Sequence, residues 1–81
     1  MSDTLNSLAA KLAEDTLKVM DETGDDRFFV EVGDLLGASS QTLEEAFLTE
    51  IRVRLAERKA RQFVIKRLSE HRKQIKAIEK Q

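Results

Sequence analysis

No proline occurs anywhere in this chain, and its three glycines, Gly24, Gly33 and Gly37, all stand in the first half. From Ala38 to Gln81 nothing in the local chemistry stops a helix once it has started. Many Ala, Leu, Glu, Lys and Arg residues, the strong helix formers, accompany that absence, so the expected fold class is all-α without strands. A helix launched near Thr42 would run to about Ile78, with Glu79 to Gln81 fraying. Such a helix has roughly 37 residues and a length of about 55 Å. A compact domain of this size has a radius of gyration of about 12 Å, so the helix must project as an arm or bend back.

Two shorter helices are expected before it. Leu5, Leu8, Ala9, Leu12, Ala13, Thr16, Val19 and Met20 recur at the spacing of one amphipathic face, with Ser2, Asp3 or Thr4 available as the cap. Gly24 suits the left-handed residue that ends a helix, and Asp25 can accept backbone N–H groups at the next start. The second helix, about Asp26 to Leu36, carries Phe28, Phe29, Val32, Leu35 and Leu36 over a wide arc. That arc marks it as the most buried element, and loss of Phe28 or Phe29 as the most damaging to the core. Gly37 ends it. Thr42 and Glu45 then have the spacing of a capping box for the third helix.

The long helix changes face part-way along. Leu43, Phe47, Ile51 and Leu55 form one apolar stripe, whereas Ala60, Val64, Leu68, His71, Ile75 and Ile78 form another, displaced by more than a quarter turn. The two short helices should therefore pack on its first half. Residues 56-81 become a basic amphipathic arm of a single domain, 1-81. Val64, Leu68, His71, Ile75 and Ile78 alternate steps of four and three, the seam spacing of a coiled coil, and form the candidate partner-binding face.

Charge divides the chain near Glu50. Residues 1-50 hold three basic side chains against twelve acidic ones; residues 51-81 hold eleven against three. The bases lie largely opposite the second stripe, and Arg52, Arg54, Arg58, Arg61, Arg72, Lys73 and Lys76 are candidates for binding anions. Salt pairing along the helix, Glu50 with Arg54 and Glu57 with Arg61, competes for some of them.

Residues 29-48 resemble the helix-turn-helix DNA-binding motif: Val32-Gly33 on one helix, Leu36-Gly37-Ala38 at the turn, Leu43 and Ala46 on the next. The resemblance implies that Ser39, Ser40, Gln41, Glu44 and Glu45 face base edges, with Arg52, Arg54 and Arg58 on phosphates. Glu44 and Glu45, surrounded by Asp25, Asp26, Glu31, Asp34 and Glu50, carry the wrong sign for that surface. A plain helical corner accounts for the same residues.

Other chemistries find little support. The chain has no Cys and no Tyr, and His71, its only histidine, has no acid nearby on the same face, so no catalytic residues are assigned. Asp21 to Asp26 is acidic, but Gly24 and Val32 stand at the wrong positions for a calcium loop, and no metal or cofactor is expected. His71 within an interface could sense pH. The absence of Cys suits a reducing cytoplasmic setting, and the apolar runs are too short for membrane insertion. At 81 residues the core is small, so help from self-association is expected. The expectation is a non-enzymatic helical interaction module or regulator, a homodimer or the partner of another protein. The alternative is a DNA-binding regulator using residues 29-48 and the basic helix.

Overall fold

The computed structural model describes residues 2-80 as three helices: α1 Ser2–Thr23, α2 Phe28–Gly37 and α3 Gln41–Glu79. The chain is all-α, with α1 and α2 packed on the first half of α3. α3 is a single unbroken helix of 39 residues, and the molecule extends 64 × 28 × 13 Å. Its radius of gyration, 18.4 Å, is well above the value of about 12 Å for a compact chain of this size. Of the two outcomes open to a helix without breakers, the projecting arm is the one adopted.

Local chemistry sets the ends of the helices. At the end of α1 the Thr23 hydroxyl donates to the Val19 carbonyl at 2.7 Å, and the Gly24 N–H reaches Met20 O at 2.9 Å. Gly24 has φ 77°, the left-handed conformation that lacks a Cβ penalty only in glycine. An Asp25 carboxylate oxygen then accepts from the Arg27 N–H at 3.1 Å. This turn holds Asp26 and Arg27 outside the helix, so α2 begins at Phe28 rather than at Asp26. α1 itself starts at Ser2, which puts Asp3 and Thr4 inside its first turn instead of before it. The residue preceding α1 lies outside the described residues.

α3 is capped differently from the capping-box expectation. Ser40 is extended, with φ −157° and ψ 106°, and its Oγ accepts from the Leu43 N–H at 3.1 Å. Thr42 is already within the first turn. The position is fixed by the end of α2, where the N–H groups of Ser39 and Ser40 both close on Leu36 O. Gly37 stays helical, and the turn that follows it is made without a left-handed residue.

α1 runs parallel to α3. Leu5 and Asn6 lie beside Thr42, Ala46 and Thr49, while Asp21 meets Arg58. α2 returns between them in sequence and closes the corner. Ala9, Ala13, Thr16, Leu17 and Met20 form the buried face of α1, opposite Phe47 and Ile51 of α3, both fully buried. The small side chains at Ala9 and Ala13 leave room for the two large ones. Leu12, Phe28, Phe29, Val32, Leu36, Leu48 and Leu55 surround this centre, partly buried.

The core thus differs in three respects from the expectation. Leu17 is buried, whereas Leu8 and Val19 are exposed, because the face of α1 that meets α3 is rotated toward its alanines. α2 is not the most buried element: Gly33 is its only buried residue and Leu35 is 75% exposed. A helix of ten residues lying on one side of the pair α1 and α3 can bury a single face, and Leu35 stands about 200° round from Gly33. Phe47, not Phe28 or Phe29, is the central aromatic.

Replacing Phe47 by Ala is expected to cost about 3–5 kcal/mol, because it removes a wholly buried ring between helices. Leu35→Ala should cost less than about 0.5 kcal/mol. Urea unfolding followed by circular dichroism measures both, and equal losses would contradict this assignment of the core.

Candidate functional site

Beyond Leu55 every described residue of α3 is exposed. The body ends there because α1 ends: Asp21, near its last turn, is abreast of Arg58, and the chain turns away at Gly24. The helix nevertheless continues to Glu79, since extending an existing helix avoids the cost of nucleation and the arm is rich in Ala, Glu, Gln, Lys and Arg.

On this arm the second stripe is uncovered. Val64 is 63% and Ile78 69% exposed, Leu68 and Ile75 are less so, and His71 is exposed within the same row. The structure therefore brings all five expected residues onto one solvent-facing side of an uninterrupted helix. It also adds one the spacing argument missed. Val53, 58% exposed, stands about three turns before Val64 on nearly the same side, so the stripe begins opposite the core while the helix is still inside the body. The step of eleven residues from Val53 to Val64 is about three full turns, a same-face spacing that adjacent steps of three and four do not reveal. Phe63 and Ile65 are exposed beside the stripe.

The candidate anion-binding residues separate into two groups. Arg58 donates from both terminal nitrogens to Asp21, at 3.0 and 3.1 Å, tying α1 to α3. Hydrogen bonding to Asp21 raises the Arg58 pKa above its ordinary value, with smaller support from the charges of Asp21 and Glu57 against partial desolvation. A cation whose pKa is raised on folding contributes throughout the range below its unfolded value, so this clasp is not weakened by Arg58 losing its proton near neutrality. Arg54 approaches Glu50 at 3.8 Å, with its Nε buried and unpartnered, and Arg61 pairs with Glu57. These three are engaged within the chain. Arg52, Arg72, Lys73 and Lys76 are exposed and, among the described residues, have no carboxylate within ion-pair distance. Arg67 lies over the Phe63 ring, 5.5 Å from its centre.

The helical corner has the close crossing expected of residues 29-48. A Cβ added at Gly33 would stand 3.3 Å from Leu48 Cδ2. At Gly37 the Glu44 carboxylate would come within 3.0 Å of such an atom, so that side chain folds back over the turn. Ser40 spends its hydroxyl on the cap, and Glu45 is exposed. The start of α3 presents acid rather than base.

Between α1 and α3 lies an open groove of about 440 Å³ lined by Leu17, Lys18, Val53, Arg54 and Glu57, among others. Its charges are of both signs, which leaves no dominant ligand class. Among the described residues no group of three or more His, Asp or Glu side chains is arranged to hold a metal ion. No described helix is long and apolar enough to cross a membrane.

No family model, curated protein or solved structure matches the chain. The arm is thus characterised by its own geometry.

The Arg58 clasp makes a stability prediction. A double-mutant cycle with Asp21→Asn and Arg58→Gln should give a coupling of about 0.5–1 kcal/mol, since both side chains remain solvent-accessible. Raising salt should shrink it. Zero coupling in low salt would show that the pair does not hold α1 against α3.

Proposed function

We propose that this chain is a non-enzymatic helical interaction module that self-associates through the exposed side of its arm. One observation carries the reading: Val64, Leu68, Ile75 and Ile78 line an uninterrupted helix beyond the reach of α1 and α2, and all four are exposed. Burying side chains of this size against a partner is worth about 1.5–3 kcal/mol each before association costs are subtracted. The alternation of four and three steps suits helix-on-helix packing, with the bases on the outer side kept in water. A small body also gains from association, because its own core is centred on few large side chains. The lack of cysteine supports a cytoplasmic setting for such a module.

A DNA-binding regulator is the second reading, favoured by the close crossing at Gly33 and by Arg52 just beyond the corner, which has no ion-pair partner among the described residues. Glu44 and Glu45 weigh against it. A duplex probe whose binding falls steeply with salt would favour that reading over self-association alone.

Sedimentation equilibrium tests the main reading. The unaltered chain should show a concentration-dependent dimer, and Leu68→Asp with Ile75→Asp should weaken it by about tenfold or more, because two charges would enter an apolar seam. The body should keep its unfolding midpoint at concentrations where both forms are monomeric. A chain that stays monomeric at every concentration, with or without these substitutions, would overturn the proposal.

A further inference from the structure

The charges along the arm also bear on the orientation of the two chains. Resting on the self-association reading, we infer that the occupant of the arm is a second copy running antiparallel to it, with Val64 of each chain opposite Ile75 of the other.

The seam steps fix the flanking positions. Leu68 and Ile75 take one seam position, and Val64, His71 and Ile78 the other. Arg67 and Arg72 then flank the seam on its two sides, five residues apart, which is the separation that faces across a parallel pair. In a parallel dimer Arg67 of each chain meets Arg72 of the other, a like-charge contact made twice over. Neither arginine has a carboxylate within ion-pair distance among the described residues to relieve it. The antiparallel arrangement sets Arg67 against Gln74 and Arg72 against Ile65, whose exposed side chain can cover the arginine's aliphatic stem.

In the seam, parallel chains would place His71 against His71, whereas antiparallel chains place each His71 beside a Leu68 and each Ile78 beside an Arg61, whose aliphatic stem can pack there while its guanidinium stays with Glu57. The charge division adds a long-range contribution. Residues 1-50 are strongly acidic and the arm strongly basic. A parallel dimer sets the two acidic bodies side by side; an antiparallel one sends them to opposite ends and brings each basic tip, at Lys80, to the edge of the other body, where Asp21 and Glu22 stand. The arm is long enough for this, since the segment from Arg61 to Ile78 spans about 26 Å of uninterrupted helix.

The chain contains no cysteine, so engineered thiols report without background. Val64→Cys, Ile75→Cys and the double variant would be oxidised at concentrations where sedimentation shows a dimer. The antiparallel pairing predicts covalent dimer from the double variant and none from either single variant. Positions 64 and 75 of one helix are about 16 Å apart, beyond disulfide reach, so a disulfide in the double variant must join two chains. Covalent dimer from the single variants would establish the parallel arrangement and overturn this inference while leaving self-association intact. A sedimenting dimer with no covalent product from any variant would also overturn it. A monomer at all concentrations would remove the underlying reading as well.

Discussion

The architecture depends on where α1 stops. α1 lies parallel to α3 and keeps abreast of it from Leu5 near Ala46 to Asp21 at Arg58, and then Gly24 takes the chain away. α2, with ten residues, closes the corner beside the start of α3 and adds no cover farther along. Everything on α3 beyond this point must be stable as a helix without tertiary packing or must find cover from another molecule. Phe47 and Ile51 are buried because they fall within the covered length; Val64 and Ile78 are exposed because they fall outside it.

The displacement of the second stripe follows from the same limit. Within the body, α3 turns Phe47, Ile51 and Leu55 toward α1 and α2. Past the body there is no reason for apolar residues to keep that face, and they move to one that begins at Val53, almost opposite the core. A helix with two apolar faces at different heights can bind its own body and a partner without competition between the two. The bases of the arm occupy the remaining side, where Arg58 and Arg61 are engaged with carboxylates while Arg72, Lys73 and Lys76 face water. The proposed association through the stripe would leave that basic side available.

The long helix was legible in the sequence because its cause is local: no proline and no late glycine. The change of face was legible for the same reason, since periodicity belongs to the element itself. Pairs four residues apart, Glu50 with Arg54 and Glu57 with Arg61, could also be read directly. What escaped was set by neighbours. The buried side of α1 centres on Ala9, Ala13 and Leu17 because Phe47 and Ile51 lie against it, a fact of packing. Leu35 is apolar yet exposed because α2 has only one neighbouring surface. Ser40, not Thr42, caps α3 because Leu36 O has already gathered the N–H groups of Ser39 and Ser40. Arg58 meets an acid 37 residues away, and no spacing rule along one helix would have found it.

The fold secures one half of α3, and the central proposal is that a second chain covers the other half. Amide hydrogen exchange measured across a range of protein concentrations tests it most directly. Amides from Phe47 to Leu55 should exchange slowly at every concentration, through opening of the body, while those from Val64 to Ile78 should exchange quickly when dilute and slow down as the chain associates. Equal protection of both segments that does not vary with concentration would contradict the account.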